Sequence, residues 1–477
     1  MEKIMNIITI MSDEHSYQVM GNAGDVRVQT PNLDRLAGEA ISFANAYTSC
    51  PVCAPARASW FTGQFVNRLG TWDNSTPYDG RIVDIANWLK RFQIPVYHFG
   101  KTHFHCDGQY AFTEGDFLGF LSSPDLGCYY REDKVERIGA GQRFHKIGLK
   151  TEKSFDDKVT ERVLDWLEEN QERQDDWVLN IGYLDPHFPF YVDSDKWNYY
   201  EKLIDQLPAG VKPPYTSLNE PLLALRKYFN GDVANEEIIR RVFIGYYAAV
   251  AQLDENIGRI LDKLESCGLR EKTVVIYTSD HGEQLGYHGL WWKCCMFEQS
   301  ARIPLIIACP DRQAKKIEQP VSLVDLFPTI CDLLKIPQPE NISGQSLQTL
   351  MQRGRDPQRR DFAFSEYHAH GMPEGMFMIR WQQYKYVYFT NYPPQLFDLQ
   401  TDPAEDHDLA AEKADDPEIQ ALLQAGEERL RQVCVPEEVT RRAKEFQSRM
   451  KQELGLSDSY QLERGPKGVV PHPEYHL

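Results

Sequence analysis

A cysteine-containing turn near residue 50 is the first stretch of the sequence that could do chemistry. Cys50 and Cys53 are spaced as in a redox dithiol or one half of a zinc site. A third interpretation uses Pro55 and Arg57, which predict a helix that carries a guanidinium one turn beyond a sulfur. An anion held at the start of such a helix would lie beside a nucleophile. The stretch alone leaves all three interpretations open.

Acidic residues follow two of the predicted buried strands. Asp13 and Glu14 come after one strand, and Asp280 and His281 come after another. Carboxylate oxygens and one imidazole suit Ca²⁺ or Mg²⁺ better than a structural Zn²⁺, which favours thiolates. A single acidic residue at a strand end is more often a helix N-cap. Their occurrence at two strand ends favours a metal site.

Basic residues form a second set at the ends of predicted strands. They are Lys101, His103, His187 and Lys293. A lone histidine at such a position is more often an ordinary polar residue, and exposed lysines are usually only solvated. Four bases that face a carboxylate cluster, with Arg57 beside them, are suited to hold a tetrahedral oxyanion against a cation. That arrangement stabilises charge in phosphoryl or sulfuryl transfer.

The elements that would position these residues alternate between buried strands and helices. Apolar, β-branched runs predict strands at residues 4–11, 95–100, 177–183, 273–278 and 303–308. A long amphipathic helix is predicted over 236–264. This order predicts an α/β fold, with a large mixed, mostly parallel sheet flanked by helices on both faces. The polar residues would then meet at the carboxyl edge of the sheet.

The pattern changes after residue 329. Short alternating runs predict a four-stranded antiparallel sheet, and charged helices are predicted over 418–434 and 436–454. We therefore expect a catalytic α/β domain at residues 1–355. A C-terminal subdomain at 356–477 would hold this sheet, the helices and an extended tail. The charged helices and tail make a homo-oligomer through the C-terminal region one expectation.

Composition argues against several classes of protein. The formal net charge is −18 and no Lys/Arg block is present, which disfavours nucleic acid as a partner. No apolar run is long enough for a membrane span, and the apolar N-terminal segment leads into Ser12 and Asp13 rather than a signal-peptide cleavage site. The ten cysteines have no regular spacing, so no disulfide framework is expected. We therefore expect a cytoplasmic protein.

Several ordered motifs together resemble the type I, formylglycine-dependent sulfatases of the alkaline phosphatase superfamily. The motifs are Cys53-Ala54-Pro55-Ala56-Arg57 followed by Thr62-Gly63, Gly100-Lys101-Thr102-His103, Pro186-His187-Phe188-Pro189, and the runs 279–286 and 288–293. Residues 290–293, 298–304 and 365–367 are most similar to the choline-sulfatase, iduronate-sulfatase and phosphonate-monoester-hydrolase branches. The resemblance covers nearly the whole chain, and it implies the alkaline phosphatase-like fold.

The resemblance implies hydrolysis of a small sulfate monoester whose alcohol is a sugar, a choline-like compound or an aryl alcohol. It implies that a formylglycine-generating maturation enzyme oxidises Cys53 to Cα-formylglycine, whose hydrated aldehyde attacks sulfur. It also implies a divalent cation, Ca²⁺ first and Mg²⁺ or Mn²⁺ as alternatives. The ligands would be Asp13, Glu14, residue 53, Asp280 and His281.

The resemblance also implies roles for the basic residues. Arg57 and Lys101 would fix the aldehyde hydrate, and His103 would be the base that lets sulfate leave. His187 and Lys293 would contact sulfate and protonate the leaving alkoxide.

Four residues are candidates for contact with the substrate. Asn74 is one, although an Asx turn is its commoner use. Glu366, His368 and His370 could reach the pocket from the smaller domain and contact a sugar or a choline-like alcohol. A strand-to-loop turn with exposed imidazoles explains the same residues equally well.

Two alternatives to a sulfatase stay open at this point. Hydrolysis of phosphonate or phosphate esters would use the same scaffold, because sulfate and phosphate share a tetrahedral geometry. A thiol redox or zinc-binding protein would use Cys50 and Cys53. The second alternative is weaker because the sequence has no second Cys/His pair at zinc spacing, and Cys294-Cys295 is a poor substitute.

Overall fold

The computed structural model describes residues 5–122, 125–131, 138–211, 215 and 218–456. The strands are β1 (Asn6–Ser12), β2 (Ile41–Phe43), β3 (Ala46–Tyr47), β4 (Val96–Gly100), β5 (Glu114–Asp116), β6 (Ile147–Leu149), β7 (Val178–Gly182), β8 (Phe190–Val192), β9 (Thr273–Ser279), β10 (Leu305–Ala308), β11 (Lys315–Ile317), β12 (Val321–Ser322), β13 (Phe362–Tyr367), β14 (Met376–Trp381), β15 (Tyr384–Phe389) and β16 (Tyr392–Asp398). The α-helices are α1 (Pro31–Glu39), α2 (Cys53–Thr62), α3 (Val66–Leu69), α4 (Ile85–Lys90), α5 (Ile138–Gly141), α6 (Phe155–Glu169), α7 (Ser194–Leu203), α8 (Glu220–Tyr228), α9 (Glu236–Ser266), α10 (Glu298–Ala301), α11 (Leu326–Leu333), α12 (Gln348–Arg353), α13 (Leu409–Glu412), α14 (Pro417–Val433) and α15 (Pro436–Glu453).

The large sheet has the strand order β11-β2-β10-β9-β1-β7-β4-β5. Its centre is β1, which runs parallel to β7 and β9 and sets Ile8 opposite Leu179 and Val275. The outer pairs β4–β7, β4–β5 and β11–β2 are also parallel, whereas β10 runs antiparallel to both neighbours. The mixed, mostly parallel sheet predicted from the sequence is confirmed, and the five predicted strands end within two residues of the observed ones.

Helices cover both faces of this sheet. On one face, Leu253 and Ile257 of the long helix α9 share a buried cluster with Ile8 and Ile10 of β1. On the other face, helices α2 and α11 pack in a cluster that includes Ile7 and Ile276. Alternate residues of the strands therefore point to two different layers, which is why these strands are apolar on both sides.

The C-terminal sheet is an antiparallel meander in the order β13-β14-β15-β16, as predicted. Helices α14 and α15 end within one residue of the predicted bounds, and α14 packs on β14 and β15. An ion pair of 2.7 Å joins Lys385 of β15 to Glu298 of α10, so this sheet is tied to the larger one. The division at residue 355 stays a prediction, and the predicted tail lies outside the described residues. No helix in the described ranges is both long and apolar enough to cross a bilayer.

Candidate active site

The two acidic strand ends lie side by side. β1 and β9 pair in register up to Ser12 opposite Ser279. The residues that follow, Asp13 and Asp280, therefore emerge at the same carboxyl edge of the sheet. Both carboxylates are fully buried. The juxtaposition that the sequence predicted is present.

Cys53 enters this edge from a different element. It is the first residue of α2, and its side chain is buried. Its Sγ lies 3.2 Å from His281 Nε2, 3.3 Å from Lys293 Nζ and 3.7 Å from Asp13 Oδ1. Residue 53 is therefore in contact with both the acidic and the basic sets.

One group of ligand atoms is compact enough to hold a cation. Single ligand atoms of Asp13, Cys53, Asp280 and His281 all lie within 4.8 Å of one another. Two carboxylates and an imidazole suit a hard divalent cation, whereas a thiol does not. An oxygen in place of the Cys53 sulfur would complete a set that fits the ion.

Glu14 lies with the bases rather than with this group. Its Oε2 is 3.2 Å from Lys293 Nζ and 3.2 Å from His187 Nε2. Its backbone is left-handed, with φ 67°, and its carbonyl accepts a hydrogen bond of 2.7 Å from Tyr246 Oη. Single ligand atoms of Asp13, Glu14 and His187 also lie within 4.8 Å of one another, so a metal ligand role for Glu14 stays a prediction.

Arg57 and Lys101 neutralise the two aspartates. Arg57 Nε donates to Asp280 Oδ2 at 2.7 Å, and Lys101 Nζ forms an ion pair with Asp13. Arg57 Nη1 also donates to the Lys101 carbonyl at 2.9 Å, which joins α2 to the end of β4. His103 lies just after this point, buried and with a left-handed φ of 58°. The structure thus brings these predicted residues to the edge that holds Cys53.

Electrostatics explain which groups of the site are charged. Burial raises the pKa of Asp13, but Lys101 and His187 oppose burial and hold the pKa well below its usual value. Burial and the Asp13 charge raise the pKa of the Cys53 thiol well above its ordinary value. Burial lowers the pKa of His281 to about 4, so its imidazole is neutral and can donate a lone pair. An unmodified Cys53 would be a protonated thiol and a poor nucleophile.

The dithiol and zinc interpretations gain no support from this geometry. All ten cysteines are free thiols, and Cys50 is fully buried. Burial, with Glu366 next, raises the pKa of Cys50 well above its usual value, which is unfavourable for thiolate chemistry. Within the described ranges, none of the candidate metal-binding groups contains two cysteines.

The four substrate candidates have protein partners. Asn74 Oδ1 accepts a hydrogen bond of 3.0 Å from the Ala54 amide. Glu366 accepts hydrogen bonds from the Asn67 amide and side chain and lies 2.9 Å from His368 Nε2. His370 packs against Tyr228 and Phe229. Contact of Asn74, Glu366, His368 and His370 with a substrate stays a prediction. The expectation of exposed imidazoles is wrong, because His368 and His370 are both buried.

Glu283 was not singled out from the sequence. It is buried, and its Oε1 accepts hydrogen bonds of 2.8 Å from the amides of Leu285 and Trp292. It therefore shapes the loop that carries Lys293. Burial and the neighbouring Glu14 raise its pKa well above the ordinary value. The only sequence signal for Glu283 is its position three residues after Asp280. Its hydrogen bond with the Trp292 amide could not be predicted from the sequence.

The chain matches known proteins over most of its length. A family model described as Sulfatase matches residues 5–336, and one described as N-sulphoglucosamine sulphohydrolase, C-terminal, matches residues 286–434. A choline-sulfatase of Rhizobium meliloti (strain 1021) is 31% identical over 88% of this chain and 85% of its own length. Arylsulfatase K of Gallus gallus is 28% identical over 84% of this chain and 78% of its own length.

Solved structures share the fold. The phosphonate monoester hydrolase of Agrobacterium radiobacter superposes with a TM-score of 0.71 at 22% identity, over 90% of this chain and 95% of its own. A protein solved in complex with its substrate D-glucosamine-2-N,6-O-disulfate gives a TM-score of 0.73 at 23% identity, over 90% of this chain and 99% of its own. At these identities the likeness establishes the architecture alone.

Proposed function

This chain belongs to the sulfatase family and is a sulfuric ester hydrolase, and we propose that residue 53, oxidised to Cα-formylglycine, is its nucleophile. The observation that carries the proposal is the environment of Cys53 Sγ, within 3.7 Å of Asp13, His281 and Lys293. As a thiol, the residue has a raised pKa and is unreactive there. A hydrated aldehyde at the same position would supply a hydroxyl for attack on sulfur and a second hydroxyl whose deprotonation releases sulfate.

The cation ligands in this proposal are Asp13, Asp280 and His281, with the oxygen of the modified residue 53. Ca²⁺ is the proposed ion because it accepts several oxygen ligands at flexible angles, and Mg²⁺ or Mn²⁺ would use the same donors. When bound, the ion would lower the pKa of an attacking hydroxyl and neutralise charge on sulfate. Glu14 is the least supported ligand, because Lys293 and His187 contact its carboxylate, and its own compact group is with Asp13 and His187 rather than with residue 53.

The net charge of the site supports an anionic substrate. Arg57 and Lys101 already balance the charges of Asp13 and Asp280. Lys293 is paired with Glu14, so a divalent cation would leave the pocket positive. A sulfate monoester carries one negative charge, so it would be drawn into this pocket and held there in a low-dielectric environment.

His187 and Lys293 are proposed to act on the leaving alcohol. Each is 7% exposed, whereas the other predicted catalytic and metal-binding residues are 0 to 3% exposed. Solvent therefore reaches the site from their side, and a leaving alcohol can depart there. Both side chains reach the same Glu14 oxygen, so their nitrogen atoms are fixed by one carboxylate. A proton passes from one of them to the alkoxide oxygen as the sulfur–oxygen bond breaks.

Arg57, Lys101 and His103 are proposed to act on residue 53 itself. Arg57 and Lys101 orient its hydroxyls through the carboxylates that they contact. His103 lies in the loop after β4 and would take a proton when sulfate is released. The alcohol is proposed to be small, a choline-like, sugar or aryl alcohol, with Glu366, His368 and His370 as candidate contacts.

Maturation and location are part of the same proposal. Cys53 is 1% exposed, so a formylglycine-generating enzyme would have to reach it before the chain folds. The free thiols of all ten cysteines support a reducing compartment, and the cytoplasm is proposed on that ground. The exposed, charged faces of α14 and α15 are the proposed surface for a homo-oligomer.

The decisive experiment is the mass of the peptide that contains residue 53, combined with rates on paired esters. We expect formylglycine in place of Cys53 and a higher kcat/KM on sulfate esters than on matched phosphonate esters. Fully active protein with an unmodified cysteine would contradict the nucleophile. A strong preference for phosphonate esters would make the phosphonate monoester alternative the better one.

A further inference from the structure

The nucleophile helix α2 lacks a cap of its own. Val52 is its N-cap residue, with extended backbone (φ −159°, ψ 143°), and its side chain accepts no hydrogen bond. Serine, threonine, aspartate or asparagine usually occupies this position, because a side-chain oxygen there accepts from a free amide of the first turn. A valine cannot do this, so the amides at the start of α2 need other partners.

The first turn of α2 leaves few amides to satisfy. Pro55 has no N–H, and the Ala56 amide donates to the Val52 carbonyl at 3.1 Å. The Ala54 amide donates to Asn74 Oδ1 at 3.0 Å. Asn74 therefore occupies, from a separate loop, the place of the missing cap oxygen. The residue that it fixes is the direct neighbour of Cys53.

The loop that carries Asn74 is held on both sides. Asp73 forms the Asx turn, since its Oδ1 accepts from the Ser75 amide at 2.8 Å. Asp73 Oδ2 accepts from Gln447 Nε2 of helix α15 at 3.0 Å, and both of these residues are buried. Ser75 Oγ donates to the Asp125 carbonyl at 2.5 Å. Two distant parts of the chain thus fix the loop.

From these contacts we propose that Asn74 is a positioning residue that caps the nucleophile helix from outside and so sets the direction of residue 53. The effect on catalysis rests on the proposed function, whereas the cap itself does not. The cap oxygen holds the first turn of α2 in helical geometry. The Cα–Cβ bond of residue 53 then points its reactive atom at the group formed by Asp13, Asp280 and His281. Gln447 contributes indirectly, because its hydrogen bond to Asp73 holds the loop that carries Asn74.

The test separates the oxygen of Asn74 from its amide nitrogen. Asn74→Ala removes both atoms, and Asn74→Asp keeps an oxygen at the helix start. Rates are measured per mole of formylglycine on one sulfate ester. We expect Asn74→Ala to lower kcat about tenfold, which corresponds to about 1.4 kcal/mol in activation free energy, with KM changed less than about twofold. Asn74→Asp should keep most of kcat.

A second-site variant gives the sharper result. Val52→Thr has nearly the shape of valine and adds a hydroxyl at the N-cap position, where it can accept from the Ala54 amide. Combined with Asn74→Ala, it should restore most of kcat. Ser75→Ala is the graded comparison, because it removes one contact that fixes the loop but keeps the Asn74 cap oxygen. Its kcat should fall less than that of Asn74→Ala.

Each outcome decides one question. If Asn74→Asp is as slow as Asn74→Ala, or if Val52→Thr restores nothing and KM rises, Asn74 acts on the substrate through its amide nitrogen and the cap proposal is wrong. Hydrogen–deuterium exchange of the peptide spanning residues 50–62 gives a readout that needs no activity. It should speed up in Asn74→Ala and recover in the double variant. Inactive protein with confirmed formylglycine would overturn the proposed function and leave this exchange test intact.

Discussion

The Glu14 carboxylate lies 3.2 Å from the Lys293 ammonium across the candidate active site. Burial lowers the pKa of Lys293, but the neighbouring Cys53, Glu14 and Asp13 outweigh burial and raise it well above its usual value, so this lysine is charged. A buried ammonium without its carboxylate partner would be costly. Glu14 therefore pairs with Lys293 and contacts His187, and its role as a metal ligand stays a prediction.

The first prediction separates these two roles of Glu14. Glu14→Gln should lower kcat at least about tenfold, because Lys293 and His187 lose the carboxylate that fixes them. The amount of bound divalent cation, measured by elemental analysis, should stay the same. Asp13→Asn is the matched comparison and should lower the bound cation. If both variants lose the cation equally, Glu14 is a ligand.

The second prediction concerns Arg57. Arg57→Lys keeps the charge but loses the guanidinium fork, whose Nε and Nη1 donate to Asp280 and to the Lys101 carbonyl at the same time. We expect a loss of about 2 kcal/mol in the free energy of unfolding and a kcat at least about tenfold lower. Denaturant unfolding and steady-state rates measure both. Arg68→Lys, at an exposed position on α3, should change neither, and an unchanged Arg57→Lys variant would contradict the role given to the fork.

The sheet and the carboxyl edge could be predicted because they depend on local pattern. The runs that became β1 and β9 are apolar throughout, and acidic residues follow them directly. In contrast, the antiparallel direction of β10 depends on the long loop from Asp280 to Pro304, whose path has no local signal. The left-handed backbone of Glu14, which turns its carboxylate toward Lys293, could not be predicted from the sequence either.

The family motifs located Cys53 and its neighbours, but the supporting contacts come from far along the chain. Asn74 could be read only as a turn residue, because its partner Ala54 is set by the packing of α2 against another loop. Gln447 carries no sequence signal at all within a charged helix. Supporting residues such as Asn74 and Gln447 can be identified only once the fold shows which distant residues they contact.

The third prediction is a pH dependence of stability. Lys385 lies 2.7 Å from both Glu298 and Glu405, and all three are buried. Burial raises the pKa of Glu405 to about 7 from 4.5, with Lys385 opposing, whereas for Glu298 the charges of Lys385 and Arg302 outweigh burial and lower the pKa to about 2. Between pH 4.5 and 7 the folded chain keeps the Glu405 proton and the unfolded chain has lost it. The contribution of Glu405 to stability is therefore greatest below pH 4.5 and declines as pH rises to about 7.

Glu405→Gln removes this decline while keeping the side chain's size. From pH 5 to pH 8, the difference in the free energy of unfolding between the variant and the unaltered protein should move by about 2 to 3 kcal/mol in favour of the variant. Urea unfolding at several pH values measures it. Glu428→Gln, at an exposed site on α14, should give a difference that is flat with pH. A flat difference for Glu405→Gln would contradict a Glu405 pKa that burial raises in the folded chain.

The fourth prediction is the effect of removing the cation. Asp13 and Asp280 already pair with Lys101 and Arg57, so the stripped protein should stay folded with an unchanged circular dichroism spectrum. Activity should be lost and should return with Ca²⁺, and the melting temperature should rise with Ca²⁺ concentration. If activity returns with Mg²⁺ or Mn²⁺ but not with Ca²⁺, that ion is the catalytic cation. Full activity after chelation would contradict a catalytic cation.

The last prediction distinguishes Cys50 from Cys53. Because Cys50 is fully buried, Cys50→Ala should lower the free energy of unfolding by about 1 to 2 kcal/mol through the lost packing of the sulfur. Its kcat per mole of formylglycine should remain within about twofold of the unaltered protein. Cys53→Ala should keep the fold and abolish turnover, because no hydroxyl remains between His281 and Lys293. Equal losses of activity in the two variants would revive the dithiol interpretation, since a dithiol needs both sulfurs whereas the formylglycine mechanism needs only residue 53.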